Sequence, residues 1–199
     1  MIDEVEEVKE YLSGKDVGAL YEYHAVYLMA RYFLSIGLDG IQTREKIFEW
    51  GSRCGHYIQC SVNRAIAHAK ENKAQLRDGV TVYISDEDIH EINRRFDNHR
   101  IKFLALAMLA YGKIVADENG VCDISVVGLS GWLGMDYSSV RRWIKELIDY
   151  AYIENIPMQH RKSKKRKPVS RIKFLVPLKN EGRYVINGNN VAALANELF

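Results

Sequence analysis

The stretch that most constrains the fold runs from Ile124 to Val176. Within it, Val140, Trp143, Ile144, Leu147, Ile148 and Ala151 fall at i, i+3, i+4, i+7, i+8 and i+11. That spacing predicts one continuous apolar stripe on a helix from Ser138 to Ala151, which must bury against something. Ser138, Ser139, Arg141, Arg142, Lys145 and Asp149 are left for solvent. Asp136 or Ser138 is placed to cap the helix, since its first amides have no intrahelical acceptor. A shorter apolar helix, Val126 to Leu133, precedes it across a Gly134-Met135-Asp136 turn.

Two strand-like pieces follow. Tyr152 to Ile156 is rich in β-branched and aromatic residues and is closed by Pro157. Arg171 to Val176 alternates, with Ile172, Phe174 and Val176 on one face and Arg171, Lys173 and Leu175 on the other, as a half-buried strand does. Between them Gln159 to Pro168 is densely basic, and from Arg161 to Lys173 there are eight Lys or Arg and no acid. Such a run repels itself and is more comfortable beside a polyanion. An ordinary solvated face for Arg141, Arg142 and Lys145, and a solvated loop or localisation patch for the basic run, are the plainer alternatives.

Helix, turn, helix and a hairpin with a charged tip is an order that resembles the winged-helix DNA-binding domain, over residues 99–177. The resemblance implies that Tyr137, Ser138, Ser139, Arg141, Arg142 and Lys145 enter the major groove of double-stranded DNA. It implies that Arg161, Lys162, Lys164, Lys165, Arg166 and Lys167 touch phosphates or the adjacent minor groove. Further upstream, LMARYFLSIGLDGIQTREKIFEW (Leu28 to Trp50) is similar to the small helical domains at the C-terminal end of phage and plasmid primases. These share a helix, a Gly turn and a short helix ending in an aromatic. The whole arrangement looks like phage and mobile-element proteins, which implies a role in replication, regulation or counter-defence. None of a primase's acidic metal site is recognisable here.

The remaining chain reads as mostly helical. Residues 2–12 form a short acidic helix, and Ala19 to Ile36, apolar nearly all round, suits the centre of a bundle. Thr43 is expected to cap a helix over Arg44 to Cys54, and a further helix runs from about Ile58 to Glu71. Residues 19–72 then form a three-helix unit. Val80 to Ile84 reads as a strand, and Ser85-Asp86-Glu87-Asp88 as a capping box. Ile101 to Val115 is a buried helix, Val121 to Ile124 and Arg183 to Ile186 are short strands, and Asn189 or Asn190 caps a last helix. The expected fold is mainly α with a small β-hairpin: a helical N-terminal domain over 1–97 and a winged helix with a C-terminal helix over 98–199.

Charge divides along the same line. Residues 1–98 hold 12 Lys/Arg against 17 Asp/Glu, and residues 99–199 hold 16 against 9. An acidic half joined to a basic half suggests two tasks, with nucleic acid the partner of the second. Three scattered cysteines, Cys54, Cys60 and Cys122, imply no disulfide framework, and no apolar run is long enough for a bilayer. A cytoplasmic protein with no membrane association is expected. Cys54, His56 and Cys60 lack a fourth ligand and the usual zinc spacing. There is no phosphate-binding glycine loop, and the Asp86-Glu87-Asp88 cluster is explained by helix capping. The expectation is a non-enzymatic DNA-binding protein with no cofactor and no metal, acting in transcription regulation or replication. Its N-terminal half would supply dimerisation or a protein contact. The alternative is a protein-interaction module such as a phage-encoded inhibitor of a host nucleic-acid or defence complex.

Overall fold

A computed structural model of the chain describes residues 3–15, 17–19, 21–72, 75–157, 170–187 and 190–199. They are mainly helical, with one two-stranded and one three-stranded antiparallel sheet. No helix among them is long and apolar enough to cross a membrane. The chain divides into two compact units, at Gly79/Val80.

The first unit holds α1 (Glu4–Leu12), α2 (Glu22–Ser35), α3 (Gly40–Arg53) and α4 (Val62–Glu71). α2 is its centre: Ala25, Val26, Leu28, Met29, Ala30 and Phe33 are buried, and α1, α3 and α4 all pack on it. Two of its half-buried tyrosines find polar partners for their hydroxyls. Tyr23 Oη lies 2.7 Å from His68 Nδ1, and Tyr27 Oη accepts from Asn72 Nδ2 at 2.6 Å. Buried charge is paired, as it must be: Arg31 and Arg77 lie 3.1 and 3.3 Å from Glu4. The cap expected of Thr43 is instead made by Asp39, whose carboxylate accepts from Ile41 and Gln42 N–H while Gln42 reaches back to the Asp39 amide. That reciprocal box starts α3 earlier and leaves Thr43 inside it, fully buried. Likewise Ser61 accepts from the Arg64 amide and begins α4 at Val62 rather than near Ile58.

The second unit contains β1 (Thr81–Ile84), α5 (Asp86–Arg95), α6 (His99–Val115), β2 (Val121–Ile124), α7 (Val126–Leu133), α8 (Tyr137–Asp149), β3 (Ile153–Ile156), β4 (Ser170–Phe174), β5 (Tyr184–Asn187) and α9 (Val191–Leu198). α6 is its spine, buried from Leu104 to Ala110, and α5, α8, α9, β1 and β2 pack on it. The larger sheet has the order β2-β4-β3, so the last strand in sequence lies in the middle. Ile172 and Phe174 face the core, while Arg171 is exposed opposite Asp123, with Nε 2.9 Å from Oδ1. Gly112 lets β4 approach α6: a Cβ there would meet the Phe174 ring at 2.5 Å.

The boundary expected at 97/98 falls inside this second unit. β1 pairs with β5, Val82 opposite Ile186, and α5 packs on α6, so residues 80–97 share the core of the later chain. The Ser85 capping box with Asp88 is present, and Lys113 Nζ reaches the same Asp88 carboxylate at 2.6 Å.

Candidate nucleic-acid interface

α8 is set by hydrogen bonds at both ends. At its start Asp136 accepts from the Ser139 amide at 2.9 Å and from the Ser138 hydroxyl at 2.6 Å. These bonds, the Ser138 hydroxyl foremost, hold the Asp136 carboxyl well below the usual range and keep it ionised at the positive end of the helix. The turn from α7 passes through Gly134, whose φ of 63° is left-handed. The Met135 amide then donates to Ser130 O at 3.0 Å, and the buried Ser130 hydroxyl donates to Met135 O. The turn between the two helices is thereby held by the Ser130 side chain as well as by the backbone.

The apolar stripe forms largely as spaced: Val140, Trp143, Ile144 and Leu147 are buried and Ile148 is half-buried. Ala151 departs from it. The helix ends at Asp149, and Ala151 is exposed with φ 52°. Its amide donates to Ile148 O and that of Tyr152 to Leu147 O, both at 2.9 Å, the paired bonds of a Schellman ending. Arg95 secures this end, donating to Tyr150 O at 2.7 Å and Ala151 O at 2.6 Å while held by Glu91.

The outward face carries the residues singled out from sequence. Ser138, Arg141, Arg142 and Lys145 are exposed, and Tyr137 and Ser139 are half-buried. Arg141, Arg142 and Lys145 have no ion-pair partner among the described residues; Arg142 rests over the Trp143 ring, 5.8 Å from its centroid. This surface therefore gathers three cations and the hydroxyls of Tyr137, Ser138 and Ser139. Arg161, Lys162, Lys164, Lys165, Arg166 and Lys167 lie outside the described residues, so their placement against this face is not given. The strands before and after them, β3 and β4, pair antiparallel with Ile156 opposite Arg171.

The Cys54-His56-Cys60 segment is organised around a carboxylate. Glu22 accepts the amides of Gln59 at 2.5 Å and Cys60 at 2.7 Å, and His56 Nε2 lies 4.0 Å away. Burial, then Glu22, pushes the Cys60 thiol up to about 12, while Cys54 is exposed. A thiol so raised is a poor nucleophile and a poor ligand at neutral pH. Neither a family model, nor a curated protein, nor a solved structure matches the chain.

Proposed function

We propose that the chain is a non-enzymatic protein that binds double-stranded DNA through a winged helix formed by α6, β2, α7, α8, β3 and β4. It would be of phage or mobile-element type, acting in the cytoplasm in transcription regulation or replication. The observation that carries the reading is the outward face of α8. Three cations stand there without carboxylate partners among the described residues, on a helix whose start is capped and whose turn from the preceding helix is held by Ser130. Such cations suit phosphates and base edges, because no ion pair among the described residues must be broken before they bind. The sheet order β2-β4-β3, with the basic run between its two consecutive strands, agrees with this reading.

In this reading Arg141, Arg142, Lys145, Ser138, Ser139 and Tyr137 meet the major groove, and Arg161, Lys162, Lys164, Lys165, Arg166 and Lys167 meet phosphates or the adjacent minor groove. The test is duplex binding by the purified protein across a salt series, beside a variant with the six cations of the basic run neutralised. With about six phosphates engaged, log K falls against log salt with a slope of roughly −5. The variant's slope is shallower and its affinity lower on all sequences. Arg142→Ala instead relaxes sequence preference. Absence of duplex binding at low salt would end the DNA reading.

The second reading, a protein-interaction module, rests on the first unit. Ile41 is 72% exposed, Phe48 43% and Tyr57 84%, and Arg44 lies over the Phe48 ring. Ile41 and Phe48 share the outer side of α3, the kind of surface that marks a protein contact. Retention of partner binding after the α8 cations are removed would favour it.

A further inference from the structure

Against the C-terminal half of α8 lies a cavity of about 450 Å³, within the usual size of small-ligand sites. Three aromatic residues line it: Phe96, Trp143 and Tyr150. The Phe96 and Tyr150 rings meet edge to face with centroids 5.5 Å apart, and Tyr150 remains 55% exposed. Two carboxylates, Asp97 and Glu146, also line the cavity, and neither side chain has a hydrogen-bond or ion-pair partner among the described residues. The sole cation in the lining among the described residues is Arg142, which lies over the Trp143 ring rather than against either acid.

Two carboxylates against one guanidinium leave the cavity with a negative balance, and aromatic faces attract positive charge. We propose that this cavity binds a small organic monocation, its ammonium or amidinium head meeting Glu146 and Asp97 and its body lying against Tyr150 and Trp143. Such an occupant competes with Arg142 for the Trp143 ring, and like charge drives the guanidinium off it. Arg142 also belongs to the outward face of α8, so occupancy changes how that face meets a polyanion. That consequence rests on the DNA reading, whereas the site does not.

The test is a titration of the full chain with benzyltrimethylammonium chloride, with benzyl alcohol as the neutral counterpart and ionic strength matched. NMR of the backbone amides and the Trp143 indole N–H follows it. The expected result is a saturable shift at the Trp143 indole and the Tyr150 amide. Glu146→Gln should weaken the affinity about five-fold, with its spectrum otherwise that of the wild type. Tyr150→Ala weakens it as well. The site is overturned by no saturable shift, by an equal response to benzyl alcohol, or by unchanged affinity in Glu146→Gln. In a parallel arm the saturating cation alters duplex affinity of the wild type and not of Arg142→Ala; an unaltered wild type overturns the link to Arg142. Cation binding by a protein that binds no duplex supports the site and removes only the DNA reading.

Discussion

Ala151 occupies the left-handed position of a helix ending that is usually glycine, and its φ of 52° costs about 1–2 kcal/mol for an L side chain. The two bonds from Arg95 and the paired amide bonds hold it there. Ala151→Gly relieves the strain but adds freedom to the unfolded chain, for a net gain of about 0.5–1 kcal/mol. A denaturant midpoint that rises with unchanged slope is the expected reading; a fall would mean that the backbone is not strained. A second residue-scale prediction concerns Glu7. Burial raises its carboxyl, but the neighbouring His24, whose Nε2 lies 3.6 Å away, and the Tyr11 hydroxyl bond prevail and hold it below its ordinary value. A depressed carboxyl stabilises the folded state above its unfolded value and loses that contribution as pH falls through the folded value. The melting temperature of the wild type should therefore drop more steeply than that of Glu7→Gln on acidification from about pH 5 to pH 3. Parallel curves would remove Glu7 from the account.

At the scale of elements, what could be read from the chain was what is local. The α8 stripe, its polar outward face, the Ser85 box and the two strands about the basic run depend on residues within a turn or two of each other. Thr43 is also a cap-forming residue type, and it is the reach of Gln42 back to the Asp39 amide that sets the start of α3 at Asp39. The end of α8 differs from the spacing's expectation because an alanine at the next stripe position can continue the helix or, with a left-handed φ, close it. Both strands of the β1–β5 ladder are legible locally, but their pairing across about a hundred residues has no local signal. The packing of β4 on α6 depends on a similarly distant pair. Gly112→Ala forces the Phe174 ring aside at about 1–3 kcal/mol, partly offset by the better helix propensity of alanine, so a net loss of about 1–2 kcal/mol is expected. Phe174→Leu in the same chain should recover part of that loss in a double-mutant cycle. Additive losses would show that the two residues do not meet.

For the whole molecule, the division at Gly79/Val80 is itself testable. A fragment of residues 80–199 keeps β1 for β5 and α5 for α6, and should give dispersed amide signals and a cooperative melt. A fragment beginning at residue 98 leaves β5 with its donors and acceptors unpaired and uncovers the core that Val82, Ile84 and Ile92 fill. It should be poorly soluble or lose the cooperative transition. Equal behaviour of the two fragments would place the boundary back at 97/98.

The β1–β5 ladder also sets an order in time. Ile186 leaves the ribosome about a hundred residues after its partner Val82, which at ordinary rates of synthesis is a delay on the order of 5–20 s. Residues 3–79 are complete before that interval starts, while Val82 and Ile84 spend it without the strand that covers them. A cell making this protein thus holds a half-finished sheet edge for seconds on every nascent chain, and slower translation after residue 84 lengthens that exposure.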